Sequence, residues 1–163
     1  MDYSITYSRG VQLFDYVRAP SHTYPIFDTR ARRDLLDRCE HRLTELCLKL
    51  DFYALAVSGH SGFMGAMLAD RLGLALLAVR KETDTTRADP STINGHIVPG
   101  GKYLFVDDLV SSGSTWANCM KKLPACLTCV GAFLYNPQIH PTDEFLESGP
   151  PPIYTLGGML ETA

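Results

Sequence analysis

The stretch Lys102-Tyr-Leu-Phe-Val-Asp-Asp-Leu-Val-Ser-Ser-Gly-Ser-Thr-Trp116 decides the fold of this chain. Its short apolar run ends in two adjacent acids, Asp107 and Asp108, and a loop of hydroxyl side chains around Gly113 follows. An apolar run of this length is typical of a buried strand, and a loop rich in Ser and Gly before helical spacing marks a turn. The stretch therefore predicts a strand, a loop and a helix in succession.

The same order recurs upstream, where the apolar run Tyr53–Val57 leads into the glycine turn Ser58–Gly62. Alternation of strands and helices implies a parallel sheet with right-handed crossovers. We therefore expect an α/β protein with a Rossmann-like, mainly parallel sheet flanked by helices. The remaining elements predicted from apolar spacing are an amphipathic helix from Asp28 or Thr29 to near Lys49, a helix at 63–72, a fully buried strand at 74–79, a helix at 116–123 and a strand at 129–135.

Three segments lack this regular pattern. Residues Met1–Phe27 predict an irregular or short-stranded lead-in, and Glu82–Gly95 is so polar that we expect a mobile excursion. Residues Asn136–Ala163 are rich in Pro and Gly, which favours a cap or an edge hairpin over core. We expect one domain over 1–163, with its core at about 28–135 and a small cap from 1–27, 136–163 or both.

Composition excludes several classes of protein. The 163 residues carry 15 Lys and Arg against 18 Asp and Glu, a net charge of −3, so no broad surface for nucleic acid is indicated. No apolar run is long enough to span a membrane, and the N-terminal residues do not resemble a secretory signal. The five cysteines form an odd, scattered set, which favours a reducing cytoplasm over a disulfide framework.

The loops after the two predicted strands are candidate binding sites, because ligands of open α/β sheets lie beyond the carboxyl ends of the strands. Asp107 and Asp108 can accept hydrogen bonds from a vicinal diol. Residues Ser111–Thr115 offer backbone N–H groups at a helix N-terminus, which favours a phosphate dianion. Taken alone, the paired acids also fit a magnesium-dependent phosphatase or a solvated strand end, and Ser58–Gly62 also fits a plain tight connection.

The segment Lys102–Trp116 closely resembles the phosphoribosyl pyrophosphate signature of the type I phosphoribosyltransferases. Upstream, Ser58-Gly-His-Ser-Gly-Phe-Met-Gly65 and Val79-Arg-Lys81 are similar to the pyrophosphate loop and the following strand of adenine- and orotate-type members. The resemblance covers about Tyr53 to Tyr135. It implies the phosphoribosyltransferase fold with a small hood, and transfer of ribose 5-phosphate from phosphoribosyl pyrophosphate to a nucleobase or related nitrogen nucleophile.

The resemblance also implies roles for individual residues. The acids Asp107 and Asp108 would bind the ribose hydroxyls, and Lys81 and Arg87 would act with them in catalysis by meeting the charge of the departing pyrophosphate. Mg²⁺ would be held mainly through the substrate, without dedicated protein ligands. The implied 5′-phosphate contacts are Ser111, Ser112, Gly113, Ser114 and Thr115, and the implied pyrophosphate contacts are Ser58, Gly59, His60, Ser61, Gly62, Arg80 and Lys81.

Several alternatives stay open at the level of sequence. His60 fits a backbone contact with pyrophosphate or a solvated loop histidine, and Arg87 fits a closing loop or a solvated cation. A serine at 111 disfavours hypoxanthine–guanine chemistry, because some purine-salvage members carry an acid there. A regulator that binds phosphoribosyl pyrophosphate as a signal is the main rival to an enzyme. We expect a cytoplasmic homodimer that binds phosphoribosyl pyrophosphate and a nucleobase, and neither nucleic acid nor a membrane.

The cap residues that select the base are not identified by the sequence. Aromatic side chains stack on bases, but in a capping segment they more often cover the edge of the sheet. The candidates are Tyr135, Phe145 and Tyr154 near the C-terminus and Arg18, Tyr24 and Phe27 in the lead-in.

Overall fold

A computed structural model describes residues 2–3, 16–17, 28–59, 61–80, 93–108, 113–136, 143, 145 and 149–160. In the lead-in, strand β1 (Asp2–Tyr3) pairs antiparallel with strand β2 (Tyr16–Val17). Short strands were expected in this segment, and the pairing confirms them.

The first long element is helix α1, Thr29–Leu50. Asp28 caps it, because its Oδ1 accepts a hydrogen bond from the backbone N–H of Ala31 at 2.7 Å. The helix ends at Asp51, whose backbone is left-handed with φ of 54°. The predicted helix is confirmed, and its buried residues recur at three- and four-residue steps: Leu36, Cys39, Leu43 and Leu46.

A seven-stranded sheet forms the centre of the fold, in the order β5-β4-β3-β6-β7-β8-β9. Strands β4, β3, β6, β7 and β8 are parallel neighbours, while β5 and β9 pair antiparallel at the two edges. Helices α2 (Ser61–Leu72) and α3 (Ser114–Lys122) connect strands of this sheet. The strands are β3 (Ala54–Ser58), β4 (Ala75–Val79), β5 (Ile93–Asn94), β6 (Lys102–Asp107), β7 (Thr128–Leu134), β8 (Ile153–Thr155) and β9 (Gly158–Leu160).

The two faces of the sheet are covered by different helices. Helices α1 and α2 pack through Leu43, Leu46 and Leu68 on one face, where Leu104 and Phe133 lie. Helix α3 packs through Cys119 on the other face. The expected α/β class, a mainly parallel sheet flanked by helices, is therefore the observed one. Among the described residues, no helix is both long and apolar enough to cross a membrane.

Two expectations about the edges of the sheet were wrong, and a third, the mobility of the excursion Glu82–Gly95, stays a prediction. The strand predicted at 74–79 is only partly buried, because its outer neighbour β5 is two residues long. Ile93 and Asn94, at the end of the segment expected to be mobile, form that strand β5, and residues 81–92 lie outside the described part. In the C-terminal segment, β8 and β9 make the expected hairpin, but Ile153 and Tyr154 are buried core rather than cap.

Candidate active site

The two candidate loops leave the sheet side by side. Strands β3 and β6 are parallel neighbours, with Ala54 opposite Tyr103 and Ala56 opposite Phe105. Parallel neighbours end at the same edge of a sheet, so the turn after Ser58 and the loop after Asp107 share that edge. This confirms the predicted adjacency of the two loops.

The turn between β3 and α2 is held by hydrogen bonds between its own residues. The Ser61 hydroxyl donates to the carbonyl oxygen of Ser58 at 2.6 Å, and the Ser58 N–H donates to Ser61 Oγ at 3.3 Å. The N–H of Gly62 donates to the carbonyl oxygen of Gly59 at 3.1 Å. Ser58 and Ser61 are buried while Gly59 is exposed, and His60 lies outside the described residues. The Ser61 side chain therefore holds the turn in shape.

Asp107 is the last residue of β6 and is more deeply buried than a solvated strand end would be, with 7% of its surface exposed. Its Oδ1 accepts a hydrogen bond from the backbone N–H of Asp108 at 2.9 Å. Burial raises the pKa of the Asp107 carboxyl to about 8, and the charge of Asp108 adds to the rise. The Ser61 side chain and the Asp108 N–H act in the opposite direction on that pKa. The alternative of a solvated strand end is therefore wrong for Asp107.

A third residue, Tyr135, adjoins the two acids. Burial and the charges of Asp108 and Asp107 raise the pKa of its phenol. The Tyr135 N–H donates to the carbonyl oxygen of Asp107 at 3.2 Å. From the sequence, Tyr135 was predicted only to stack on a base or to cover the edge of the sheet. Its place at the end of the strand predicted at 129–135 was the one signal that it could lie near acids that end a neighbouring strand.

The loop after the acids ends at Gly113, which is the N-terminal cap of α3. Gly113 is left-handed, with φ of 76°, and its N-cap position supplies no side-chain hydrogen bond. A Cβ at Gly113 would overlap the ring of Phe145, so the glycine is also required by packing. Ser114 is exposed and Thr115 is half-buried, whereas Ser111 and Ser112 lie outside the described residues.

The end of β4 lies at the same edge of the sheet, where Val79 stands opposite Ser58. The Lys122 ammonium, in the last turn of α3, donates to the carbonyl oxygen of Arg80 at 2.7 Å. This bond fixes the backbone immediately before Lys81. Lys81 and Arg87 lie outside the described residues, so their roles stay predictions.

The aromatic candidates for base stacking are packed inside the protein. Tyr135, Phe145 and Tyr154 are all buried, and the first and last belong to the core between the sheet and helices α1 and α2. Phe145 packs with Leu134 and Ile153. The three aromatic candidates are therefore part of the packing around the sheet. The candidates of the lead-in, Arg18, Tyr24 and Phe27, lie outside the described residues.

Chemically, the edge of the sheet brings hydrogen-bond acceptors and donors together. Two adjoining carboxyl groups end β6, a glycine turn precedes α2, and α3 begins one short loop after the acids. Acids of this kind can accept hydrogen bonds from a diol, and a helix N-terminus favours an anion. The mixed sheet, its flanking helices and these loops define the fold as that of the type I phosphoribosyltransferases.

Solved structures share this fold. Adenine phosphoribosyltransferase from Saccharomyces cerevisiae matches with a TM-score of 0.62 at 20% sequence identity, over 96% of this chain and 92% of that one. Orotate phosphoribosyltransferase from Aeropyrum pernix matches with a TM-score of 0.57 at 20% identity, over 94% of this chain and 84% of that one. Because both structures are only 20% identical to this chain, the matches show a shared fold.

The sequence is similar to adenine phosphoribosyltransferase from Paracidovorax citrulli. The two are 27% identical over 145 residues, which is 79% of this chain and 78% of the relative. No family model matches the chain. The relatives by sequence and by structure support the type I phosphoribosyltransferase family, among its adenine and orotate types, which is the family that the residues predicted.

Proposed function

We propose that this chain is a phosphoribosyltransferase that transfers ribose 5-phosphate from phosphoribosyl pyrophosphate to a nucleobase and releases pyrophosphate. The observation that carries the proposal is the Asp107–Asp108 pair at the end of β6, beside the glycine turn that follows β3. The names of the relatives support the same reaction.

The described residues supply three groups of contacts for such a substrate. Asp107 and Asp108 accept hydrogen bonds from the two ribose hydroxyls, and the start of α3 at Gly113 faces the 5′-phosphate. The turn from Ser58 to Gly62 faces the pyrophosphate, with Arg80 after the neighbouring strand β4, and Lys81 stays a predicted contact. Because the Ser61 hydroxyl and the Gly62 N–H both donate within the turn, the backbone at Gly59 is what the described part of this turn offers to an anion.

In this transfer reaction the protein itself contributes little covalent chemistry. A nitrogen of the base attacks C1′ of the ribose, a C–N bond forms, and the C1′–O bond breaks as pyrophosphate leaves with its electron pair. The attacking nitrogen loses its proton to solvent or to the leaving group. The chain orients the two reactants and places the Asp107–Asp108 pair near the developing oxocarbenium ion, which negative charge on the pair would stabilise.

Magnesium fits the chemistry of this site. Carboxylate, hydroxyl and pyrophosphate oxygens are hard donors of the kind that Mg²⁺ prefers. Asp107 and Asp108 would hold the ion indirectly, through the ribose hydroxyls that they orient, and the substrate's own oxygens would supply its ligands. When bound, Mg²⁺ neutralises charge on the leaving pyrophosphate.

Adenine is the acceptor that the relatives favour, since both sequence relatives carry the name adenine phosphoribosyltransferase. Orotate is the second candidate, because orotate phosphoribosyltransferases share the fold. Serine at 111 disfavours hypoxanthine and guanine. With adenine as the acceptor the role is nucleotide salvage, and the odd, scattered set of cysteines supports a cytoplasmic location for it.

A base panel tests the proposal. Purified protein is incubated with phosphoribosyl pyrophosphate, Mg²⁺ and adenine, orotate, hypoxanthine or guanine, and released pyrophosphate is measured. We expect release with adenine well above the rate without a base. A protein that binds phosphoribosyl pyrophosphate but releases no pyrophosphate with any base would instead be a regulator of the same fold.

A further inference from the structure

The phenol of Tyr135 is a buried hydrogen-bond donor that packing does not explain. Tyr135 is 1% exposed, and its Oη has no hydrogen-bond partner within the described part of the chain. A buried hydroxyl without a partner destabilises a folded protein relative to phenylalanine, which has the same shape without the oxygen. A role beyond filling space would account for the tyrosine.

Its position points to the acid pair. Asp107 lies opposite Leu134 in the pairing of β6 with β7, so Tyr135 stands one residue further, beside Asp108. Two backbone bonds hold the strand ends together there, from Tyr135 N–H to the Asp107 carbonyl at 3.2 Å and from Asn136 N–H to the Asp108 carbonyl at 3.0 Å. The charges of both acids act on the phenol.

We propose that Tyr135 is a positioning residue for the acid pair: when the substrate binds, its hydroxyl donates a hydrogen bond to the carboxylates through one buried water and orients them for the ribose diol. The inference rests on the proposed function, because it assigns Tyr135 a part in that same substrate site. A water that bridges buried polar groups is a common feature of protein interiors.

The Tyr135 hydroxyl is a donor without an acceptor in the part of the chain that the structure describes, and a donor would stabilise the ionised form of the acid pair. Ionised carboxylates accept stronger hydrogen bonds from a diol than neutral carboxyl groups do, and burial beside Asp108 opposes ionisation of Asp107. A donor nearby favours the ionised form. Among the described residues, the Cys39 thiol on α1 faces the phenol and Ser61 on α2 faces Asp107.

Tyr135→Phe tests the inference, with Tyr154→Phe as the matched control. Tyr154 is also buried, in the same core cluster, but it lies on β8, one strand further from the acids. Affinity for phosphoribosyl pyrophosphate with Mg²⁺ is measured by calorimetric titration from pH 5.5 to 9, together with the melting temperature of each variant.

We expect Tyr135→Phe to bind about tenfold more weakly at pH 7. The acid limb of its binding profile should move to higher pH, because removing the donor raises the pKa of the acid pair in the complex. Its melting temperature should not fall, since the hydroxyl is unpaired without substrate, and Tyr154→Phe should bind as the wild type does.

Two results would overturn the inference while leaving the proposed function intact. One is a Tyr135→Phe protein with the affinity and pH profile of the wild type. The other is a lowered melting temperature for Tyr135→Phe, which would show that the hydroxyl already stabilises the free protein. If the wild type itself fails to bind phosphoribosyl pyrophosphate, the proposed function falls, and this inference falls with it.

Discussion

The side chain of Ser61, the first residue of α2, adjoins the carboxyl group of Asp107, the last residue of β6. The same hydroxyl donates to the carbonyl oxygen of Ser58 at 2.6 Å. One small side chain therefore connects the turn after β3 with the acid pair after β6. The shape of the turn and the charge of the acid pair are coupled through it.

Replacing Ser61 with alanine should weaken both parts of this connection. The loss of a buried hydrogen bond should lower the free energy of unfolding by about 1–2 kcal/mol, and substrate affinity should fall with it. Denaturation in urea measures the first effect and calorimetric titration the second. Thr44→Ala is the control, because Thr44 makes the same kind of bond to the Glu40 carbonyl at 2.8 Å, but on an exposed face of α1. Equal losses in the two variants would argue against a special role for Ser61.

Removing the acids should abolish productive binding without unfolding the protein. Asp107→Asn with Asp108→Asn takes away the charged acceptors of the ribose hydroxyls, at about 2–3 kcal/mol of binding free energy each. Titration with phosphoribosyl pyrophosphate measures the loss, and circular dichroism checks the fold. Asp70→Asn, at an exposed position on α2, should bind normally. Unchanged affinity in the double variant would contradict the assigned role of the acid pair.

The buried carboxyl of Asp107 should make stability depend on pH. Its pKa is raised in the folded protein from an ordinary value of 3.8 to about 8, so the folded protein holds this proton more tightly than the unfolded chain does. The contribution of Asp107 to stability is therefore fully present below about pH 4 and is lost as pH rises towards 8. Asp107→Asn should melt about 3–6 °C above the wild type at pH 9, with little difference at pH 4. A difference that does not vary with pH would show that burial does not perturb this carboxyl.

Much of this site follows from local patterns in the sequence, and the rest depends on contacts between distant segments. The Asp107–Asp108 pair and the turn at Ser58–Gly62 were predictable because each directly follows an apolar run that forms a strand. The burial of Asp107 was not, because it results from the pairing of β6 with β7 and from the approach of Ser61.

In the C-terminal segment, too, the turns follow from local sequence patterns while the place of its strands in the sheet does not. Its glycines and the run Pro150-Pro-Pro152 predict turns, and a hairpin does form. Strand β8 is only three residues long and joins β7 in parallel, so its place in the sheet is set by tertiary contacts that apolar spacing does not reveal. The packing of Phe145 over Gly113 is another long-range contact of this kind.

Gly113→Ala should lower stability because of that contact. The substituted residue meets both an unfavourable φ of 76° and the ring of Phe145, so we expect a loss of about 2–4 kcal/mol, measured by urea denaturation. Gly73→Ala separates the two causes, since Gly73 has a similar φ of 64° and open space around it. Gly113→Ala combined with Phe145→Leu should recover part of the difference between the two glycine variants. If both glycine variants lose the same stability, backbone strain alone explains Gly113.

The most direct test of the central claim is the nucleotide product itself. Wild-type protein is incubated with phosphoribosyl pyrophosphate, Mg²⁺ and adenine, and adenosine 5′-monophosphate is quantified by chromatography beside the Asp107→Asn, Asp108→Asn variant. We predict that one nucleotide forms for each pyrophosphate released, and that the variant forms none above background. Binding of phosphoribosyl pyrophosphate without any nucleotide from adenine or orotate, or equal product from the variant, would contradict the account.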